Sequence, residues 1–301
     1  MRVVRDLPDA QLLLTLLAVA EAGSESEASA VLGIGQSSVS RRLATLQDGV
    51  AEPLTQRTAA GVKLTSAGER LLPHARSVRA ALVAAARALD SGEEPFVFDM
   101  GLSPHLAPRF AGALVRATLP HAPTLTEASS RHLLSRVRDA TLHAALTLWA
   151  PAGAEPGFTA ESVAVDRLVF VAFGGSPVVR AGRLDTAELR GTDLLLPAED
   201  SVVSARALAL LRRMGLEPAS IVTMGGAAAV RSAALAGAGV GVTLASTCTA
   251  EVSAGWLSAA DWPADDAVVD VWLLLSDALT DADAAQVRAI VHTAVTATAA
   301  G

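Results

Sequence analysis

Apolar residues recur at helical spacing through the first third of the chain. Leu12, Leu13, Leu16, Leu17 and Val19 form one stripe, and Gly23 stands where a left-handed residue commonly ends a helix. Ser24-Glu25-Ser26-Glu27 then reads as a capping box, the serine oxygen accepting from the third amide and the Glu27 carboxylate reaching back. The helix it starts is short and stops at Leu32-Gly33. A third helix begins near Gln36, with Val39, Leu43 and Leu46 at i, i+4 and i+7 on its core side. Leu54, Arg57, Lys63 and Leu64 suit a small hairpin with Ala59-Ala60-Gly61 at its tip. From Thr65 a long helix follows, in which Leu71, Ala75, Val78, Leu82, Ala85 and Leu89 step by four and three, an a/d seam of nearly three heptads. Pro73 falls early in it, where it tightens or kinks the first turns.

With Val39, Leu43 and Leu46 facing the core, Gln36, Ser37, Ser38, Arg41, Arg42 and Thr45 look outward. A short helix, a Gly-containing turn and a second helix opening with such residues is the layout of a helix-turn-helix, whose second helix enters the major groove of DNA. Gln and Arg can be bidentate to bases, while Ser and Arg bind phosphate. Gln36, Ser37, Ser38, Ser40, Arg41 and Arg42 are therefore the candidate DNA contacts of the helix. Arg57 and Lys63, the chain's only lysine, are those of a wing on the phosphate backbone. An ordinary solvated face is the plainer reading of any one of these residues; the three-helix layout favours DNA. The long helix is narrow and Ala-rich, so its seam predicts a contact between two chains rather than a self-sufficient coiled coil.

Ser91-Gly92-Glu93-Glu94-Pro95 breaks the apolar period and reads as a hinge. Beyond it strands and helices alternate. The first series predicts a strand over 96–102, a helix over 105–118, a strand over 123–128, a helix over 132–140 and a strand over 144–149. The second runs through 162–173, 186–189, 193–196, 204–214, 220–224, 227–236, 240–244 and 268–275, and a last helix covers 281 to about 298. Such alternation means α/β units with covered sheets. Two series joined by crossings predict two Rossmann-like lobes with a cleft between them. The expected domains are a winged helix-turn-helix over 1–66, a linker and dimerisation helix over 67–91, and an α/β domain over 92–301. In the last, one lobe takes about 95–161 and 268–301 and the other about 162–267.

Composition sharpens this picture. A chain of 301 residues, half of them apolar, suits more than one domain with a sizeable core. Residues 1–91 carry ten Lys and Arg against nine Asp and Glu, whereas the remainder carries 14 against 22. The acidic excess thus lies outside the DNA-binding part, and an overall charge of −7 does not argue against DNA, because the local patch sets the field. Cys248 is the only cysteine, which excludes a disulfide within one chain and a switch using two cysteines of one subunit. No signal peptide or clean membrane span is read, so a cytoplasmic location without membrane partners is expected.

The N-terminal region resembles the LysR-type transcriptional regulators. The resemblance rests on Val19-Ala20-Glu21-Ala22-Gly23-Ser24, on Gln36-Ser37-Ser38-Val39-Ser40-Arg41, on Leu54 with Arg57, and on Leu64-Thr65-Ser66-Ala67-Gly68-Glu69, in order and spacing. The chain departs from that pattern at Glu25, where an aromatic is usual, and at Glu27, where Arg or Ala is common. It departs again at Thr55, where Phe is usual, and at Ala60, where a second wing arginine is usual. These changes add acid and remove base near the DNA. The resemblance implies a periplasmic-binding-protein-like effector domain, and Leu235-Ala236-Gly237-Ala238-Gly239-Val240-Gly241-Val242 is similar to the family's late helix-to-strand turn. It also implies a homodimer or homotetramer on a quasi-palindromic operator.

Ligand chemistry is expected at the carboxyl ends of the strands. Ser103 is a candidate helix cap and Pro104 a first helical residue; a helix start with free amides and a hydroxyl is an anion site. His105 adds a titratable group. Ser129 and Ser130 follow the next strand, and Ser201, Val202 and Gly225 follow strands of the other series. A helix cap is the plainer reading of each serine. Their convergence on one cleft predicts a small, anionic effector and no cofactor. Enzyme readings fail. Gly237-Ala238-Gly239-Val240-Gly241 has its helix before and its strand after, the reverse of a dinucleotide loop. Gly175-Ser176-Pro177 lacks the second glycine of a nucleophile elbow, and the six histidines show no metal-ligand spacing. The alternative from another class is a module that sequesters a small molecule and uses its N-terminal helices only to dimerise.

Overall fold

A computed structural model describes residues 8–58, 61–89, 98–120, 123–149, 157–198, 200–263 and 267–299. The chain divides into two compact units. One is Met1–Glu94 with the segments Arg138–Thr141 and Ser276–Thr280, and the other is the remainder. The hinge residues 91–95 and the hairpin tip Ala59-Ala60 lie outside the described residues.

The first unit contains helices α1 (Ala10–Ala22), α2 (Glu25–Leu32) and α3 (Gln36–Asp48), strands β1 (Thr55–Thr58) and β2 (Gly61–Leu64), and helix α4 (Ser66–Leu89). Asp9 caps α1, accepting from the Gln11 amide at 2.8 Å. Gly23 ends α1 at φ 74° and Ser24 caps α2 through the Glu27 amide at 3.1 Å. Only the serine half of the capping box forms among the described hydrogen bonds, and Glu27 is exposed. The carbonyl of Gly23 also accepts from Val62 at 2.8 Å, which ties the hairpin to the end of α1. A Cβ on Gly61 would lie 2.5 Å from that same carbonyl, so the close approach needs glycine there. Val19, Ala28 and Val39 form the centre of the helix-turn-helix core, with Leu43 and Val62 against it.

Helix α4 runs on through Pro73. Much of the seam side of its first half packs within the chain. Ala75 is fully buried, and Leu71 and Val78 pack against Leu13, Leu16, Leu17 and Leu46 of the same chain. The same four-and-three spacing serves a helix packed on α1: Ala75 is corrected from a dimer contact to intrachain core, while Leu71 and Val78 are partly buried against that core. Leu82 and Ala85 are exposed, as is Val83, a residue outside the expected seam. The side chain of Leu89 is outside the described residues.

The second unit is α/β. Strands β3 (Asp99–Leu102), β4 (Thr124–Glu127) and β5 (Ala144–Thr147) alternate with helices α5 (Ala107–Thr118) and α6 (Ser130–Arg138). The long strand β6 (Phe158–Phe173) leads to a small hairpin, β7 (Val179–Arg180) and β8 (Arg183–Leu184), and then to helix α7 (Thr186–Leu189). There follow β9 (Asp193–Leu196), α8 (Val202–Met214), β10 (Ser220–Thr223), α9 (Ala227–Leu235), β11 (Val240–Leu244), α10 (Thr249–Ser253), β12 (Leu257–Asp261), β13 (Val268–Ser276) and α11 (Asp281–Ala299). The main sheet has the order β10-β9-β11-β6-β13-β5-β3-β4, with β12 also on β6. β3 pairs in parallel with β4 and β5, and β9 in parallel with β10 and β11. The long strands β6 and β13 join these two parallel sets through antiparallel pairs. Phe98, Met100, Leu102, Phe110, Leu114 and Leu146 are fully buried, as parallel strands covered by helices require. Among the described residues no helix is long and apolar enough to cross a membrane.

Candidate functional site

Helix α3 presents Gln36, Ser37, Arg41 and Thr45 to solvent, because Val39 and Leu46 are buried on the opposite side. Its N-cap is Gly35, which leaves no side chain over the first amides. Ser38 and Arg42 are half-buried, and the Arg42 guanidinium donates to Gln11 of α1 at 2.9 Å. Ser40 is half-buried too, and its hydroxyl donates to the Glu25 carboxylate. The structure therefore does not bring Ser40 to the outward face with the others.

The hairpin register sets Arg57 opposite Val62 and Lys63 opposite Gln56. Directly opposed residues share a face, so Arg57 and Lys63 point to opposite faces of the hairpin. Both are exposed. Arg57 shares the face of Val62, next to the helix-turn-helix core, and its guanidinium donates to Glu25 at 3.2 Å. The reach of Glu25 to two candidate DNA contacts depends on the fold of α2 against α3, which residue spacing does not reveal.

In the second unit the carboxyl ends of β3, β4, β9 and β10 open on one cavity of about 200 Å³. Ser103, Pro104, His105, Ser129, Ser130, Ser201, Val202 and Gly225 all line it, with Asp200 and Gly226. Helices α6, α8 and α9 begin at its wall, directing amide donors and the positive ends of their dipoles toward it. Ser201 caps α8 through the Val203 amide at 3.2 Å, and Ser129 accepts from His132 at 3.5 Å. Ser130 accepts from Leu148 at 3.4 Å. Ser103 and Pro104 depart from expectation. Helix α5 starts at Ala107, and Leu106, not Ser103, is its cap. Residues 104–106 form a turn instead, in which the Ser103 carbonyl accepts from Leu106 at 2.8 Å and Ala107 at 3.1 Å.

His105 is buried in this wall, and its Nε2 lies 3.1 Å from the Ser201 hydroxyl. Its Nδ1 is buried without a hydrogen-bond partner among the described residues. Burial, and secondarily the charge of Arg231, pushes its pKa down to about 4, so the imidazole is neutral at pH 7. A wider, more open cavity of about 850 Å³ lies by Arg109 and Asp166. The carboxylate there is already bonded to Arg109, Ser246 and the Arg167 amide. Cys248 is 1 % exposed, and its thiol is pushed up to about 11, by burial first and by Glu251 second. Among the described residues no group of three His, Cys, Asp or Glu could hold a metal.

Comparison with known proteins places both units. Residues 10–69 match the family of bacterial regulatory helix-turn-helix proteins of the lysR type, and residues 96–295 match the LysR substrate binding domain. An HTH-type transcriptional regulator of Mycobacterium bovis is 32% identical over 265 residues, covering 82% of this chain and 84% of its own. A probable hydrogen peroxide-inducible genes activator of Mycobacterium leprae is 29% identical over 238 residues, covering 77% and 76%. Among solved structures, ArgP from Mycobacterium tuberculosis superposes with a TM-score of 0.77 at 18% identity, covering 94% of this chain and 96% of that one. The first of these relatives is named as a transcriptional regulator and the second as a gene activator. The chain belongs to the LysR family: it is a DNA-binding transcriptional regulator with a C-terminal effector-binding domain.

Proposed function

We propose that the chain reads a quasi-palindromic operator with Gln36, Ser37, Ser38, Arg41 and Arg42, with Arg57 and Lys63 on phosphate, and that a small anionic molecule in the cavity at Ser103 and His105 modulates this. The observation that carries the effector reading is the convergence of four strand ends and three helix starts on one cavity. Hydroxyls and dipole ends of this kind favour an anion. At about 200 Å³ the cavity is smaller than the ~300–1,000 Å³ usual for larger ligands, which supports a compact occupant. Ser103 and the pair Ser129 and Ser130 hold its charged group from one side, with Ser201 opposite. Pairing of two chains through the exposed end of α4 sets the half-site spacing.

Sequestration alone is the weaker reading, since the outward residues of α3 take no part in the core. Peroxide sensing, suggested by the name of the mycobacterial relative, lacks a reactive thiol here: the single cysteine is buried and held protonated. Footprinting on the DNA upstream of the chain's own gene, with and without small carboxylates, tests the proposal. Protection of two half-sites that a carboxylate alters supports it. No protected site would overturn the operator reading, and a footprint indifferent to every carboxylate would overturn the effector reading.

A further inference from the structure

Glu25 is the first residue of α2, directly after the cap Ser24. Its side chain turns into a cavity between α3 and the hairpin that Ser40, Gln47, Thr55 and Arg57 also line. The Glu25 side chain is only 12 % exposed, whereas the Arg57 side chain is 83 % exposed. An acid withdrawn from water needs a partner for its charge. Glu25 has two: the Ser40 hydroxyl on Oε2 and the Arg57 guanidinium at 3.2 Å from Oε1.

We propose that Glu25 competes with the DNA backbone for Arg57, so that one carboxylate inside the helix-turn-helix sets how strongly the wing holds phosphate. Carboxylate and phosphate are alternative acceptors for the same guanidinium fork. While Arg57 stays on Glu25 its charge is compensated, and it displaces few counterions from DNA. If Arg57 moves to phosphate, the sheltered carboxylate loses its cation, and that loss opposes the move. Ser40 is held by the same group. Its hydroxyl has one proton, which is donated to Glu25 and so is not available to a phosphate. Glu25 thus acts as a positioning residue that weakens sequence-independent grip and leaves a larger share of the affinity to Gln36, Ser37 and Arg41.

The inference rests on Arg57 being a phosphate contact of the wing, and the test separates the two claims. The full-length wild type, Glu25→Gln, Arg57→Ala and the double variant are titrated by fluorescence anisotropy at several salt concentrations. The probes are a duplex from the gene's upstream region and a random duplex of equal length. Glu25→Gln is expected to tighten both complexes about threefold to tenfold and to steepen the log–log salt slope by about one phosphate, near −0.9. In the Arg57→Ala background the gain should vanish. Equal gains in both backgrounds would show plain charge repulsion and overturn the proposal. No gain from Glu25→Gln, alongside a normal loss from Arg57→Ala, would overturn it while leaving Arg57 on phosphate. A silent Arg57→Ala in both backgrounds would remove the phosphate contact and the proposal with it. If Glu25→Gln loses the wild-type thermal transition, Glu25→Asp keeps an acid at the helix start but shortens its reach. A folded Glu25→Asp must show the same direction of change, and wild-type affinity and slope in it would overturn the proposal.

Discussion

His105 and Ser201, 96 positions apart in the chain, meet with Nε2 and hydroxyl at 3.1 Å. The hydroxyl of Ser201 also caps α8, so one serine links a helix start to the buried imidazole that follows β3. The imidazole is kept neutral by its burial, with Arg231 adding to the effect.

A pH dependence of stability follows from that neutrality. The pKa of His105 is about 4 in the folded chain, against 6.5 for the unperturbed group. Between these values the unfolded chain takes up a proton that the folded chain refuses. The contribution is therefore complete above about pH 6.5 and is lost as pH falls toward 4, by up to about 3 kcal/mol. Urea unfolding of wild type and His105→Asn at pH 7.5 and pH 5 checks this. The wild type should lose about 2 kcal/mol more than the variant over that interval; parallel losses would show that His105 is already protonated or not shielded.

DNA readout separates Arg41 from Arg57. Arg41 is exposed on the outer face of α3, and Arg41→Ala should cost about 1–3 kcal/mol on specific DNA with little effect on random DNA. Ser37→Ala should act in the same sense. Arg57→Ala should weaken all sequences alike, modestly while Glu25 compensates its charge and more strongly in the Glu25→Gln background, where it flattens the salt dependence most. Competition binding with specific and random duplexes decides it, and equal losses for Arg41→Ala would remove it from base readout.

Assembly through α4 is best tested at its exposed end. Val78 is partly buried against the chain's own core, so an acid there would destabilise the DNA-binding unit and confound the test. Leu82 and Val83 are 46% and 44% exposed, and Leu82→Glu with Val83→Glu should abolish dimers while keeping the thermal transition. Sedimentation velocity reads the result; an intact dimer would place the contact on another surface.

The effector cavity is tested at Ser103, which is 2% exposed. Ser103→Ala removes the hydroxyl at nearly constant volume and should cost roughly 1–3 kcal/mol of affinity for a small carboxylate. Affinity for the operator without effector should not change. Calorimetric titration measures both, and unchanged carboxylate affinity would move the site elsewhere.

Cys248 should be inert. Its burial and raised pKa predict slow labelling by a thiol reagent in the native chain at pH 8 and fast labelling once unfolded. Rapid native labelling would reopen a thiol-based response.

Much of this molecule is legible in its sequence where local chemistry is strong. Gly23 and Ser24 mark the α1–α2 boundary, and Gln36 opens α3. The parallel strands β9 and β11 fall on the residues their apolar runs predict. The strand Leu257–Asp261 was not legible, because Leu-Ser-Ala-Ala-Asp has low strand propensity and is held by pairing with β6. The start of β6 at Phe158 is earlier than expected for a similar reason: after Phe158 its first residues are half-buried or exposed and form no apolar run. Heptad spacing in α4 could not say whether Ala75 meets another chain or α1 of its own. Among the site residues, convergence of the serines could be foreseen from strand ends. The turn that moves the α5 start from Ser103 to Ala107 and the meeting of Glu25, Ser40 and Arg57 are tertiary facts.

The most direct measurement is anisotropy of the full-length chain on a duplex from its own upstream region against a random duplex at 0.15 M salt. It is made with and without a saturating small carboxylate. Tighter binding of the specific duplex by about 10³-fold or more, altered by the carboxylate in the wild type and at correspondingly higher carboxylate concentration in Ser103→Ala, is the expected result. Equal affinity for both duplexes, with or without any carboxylate, would contradict an effector-modulated, sequence-specific regulator.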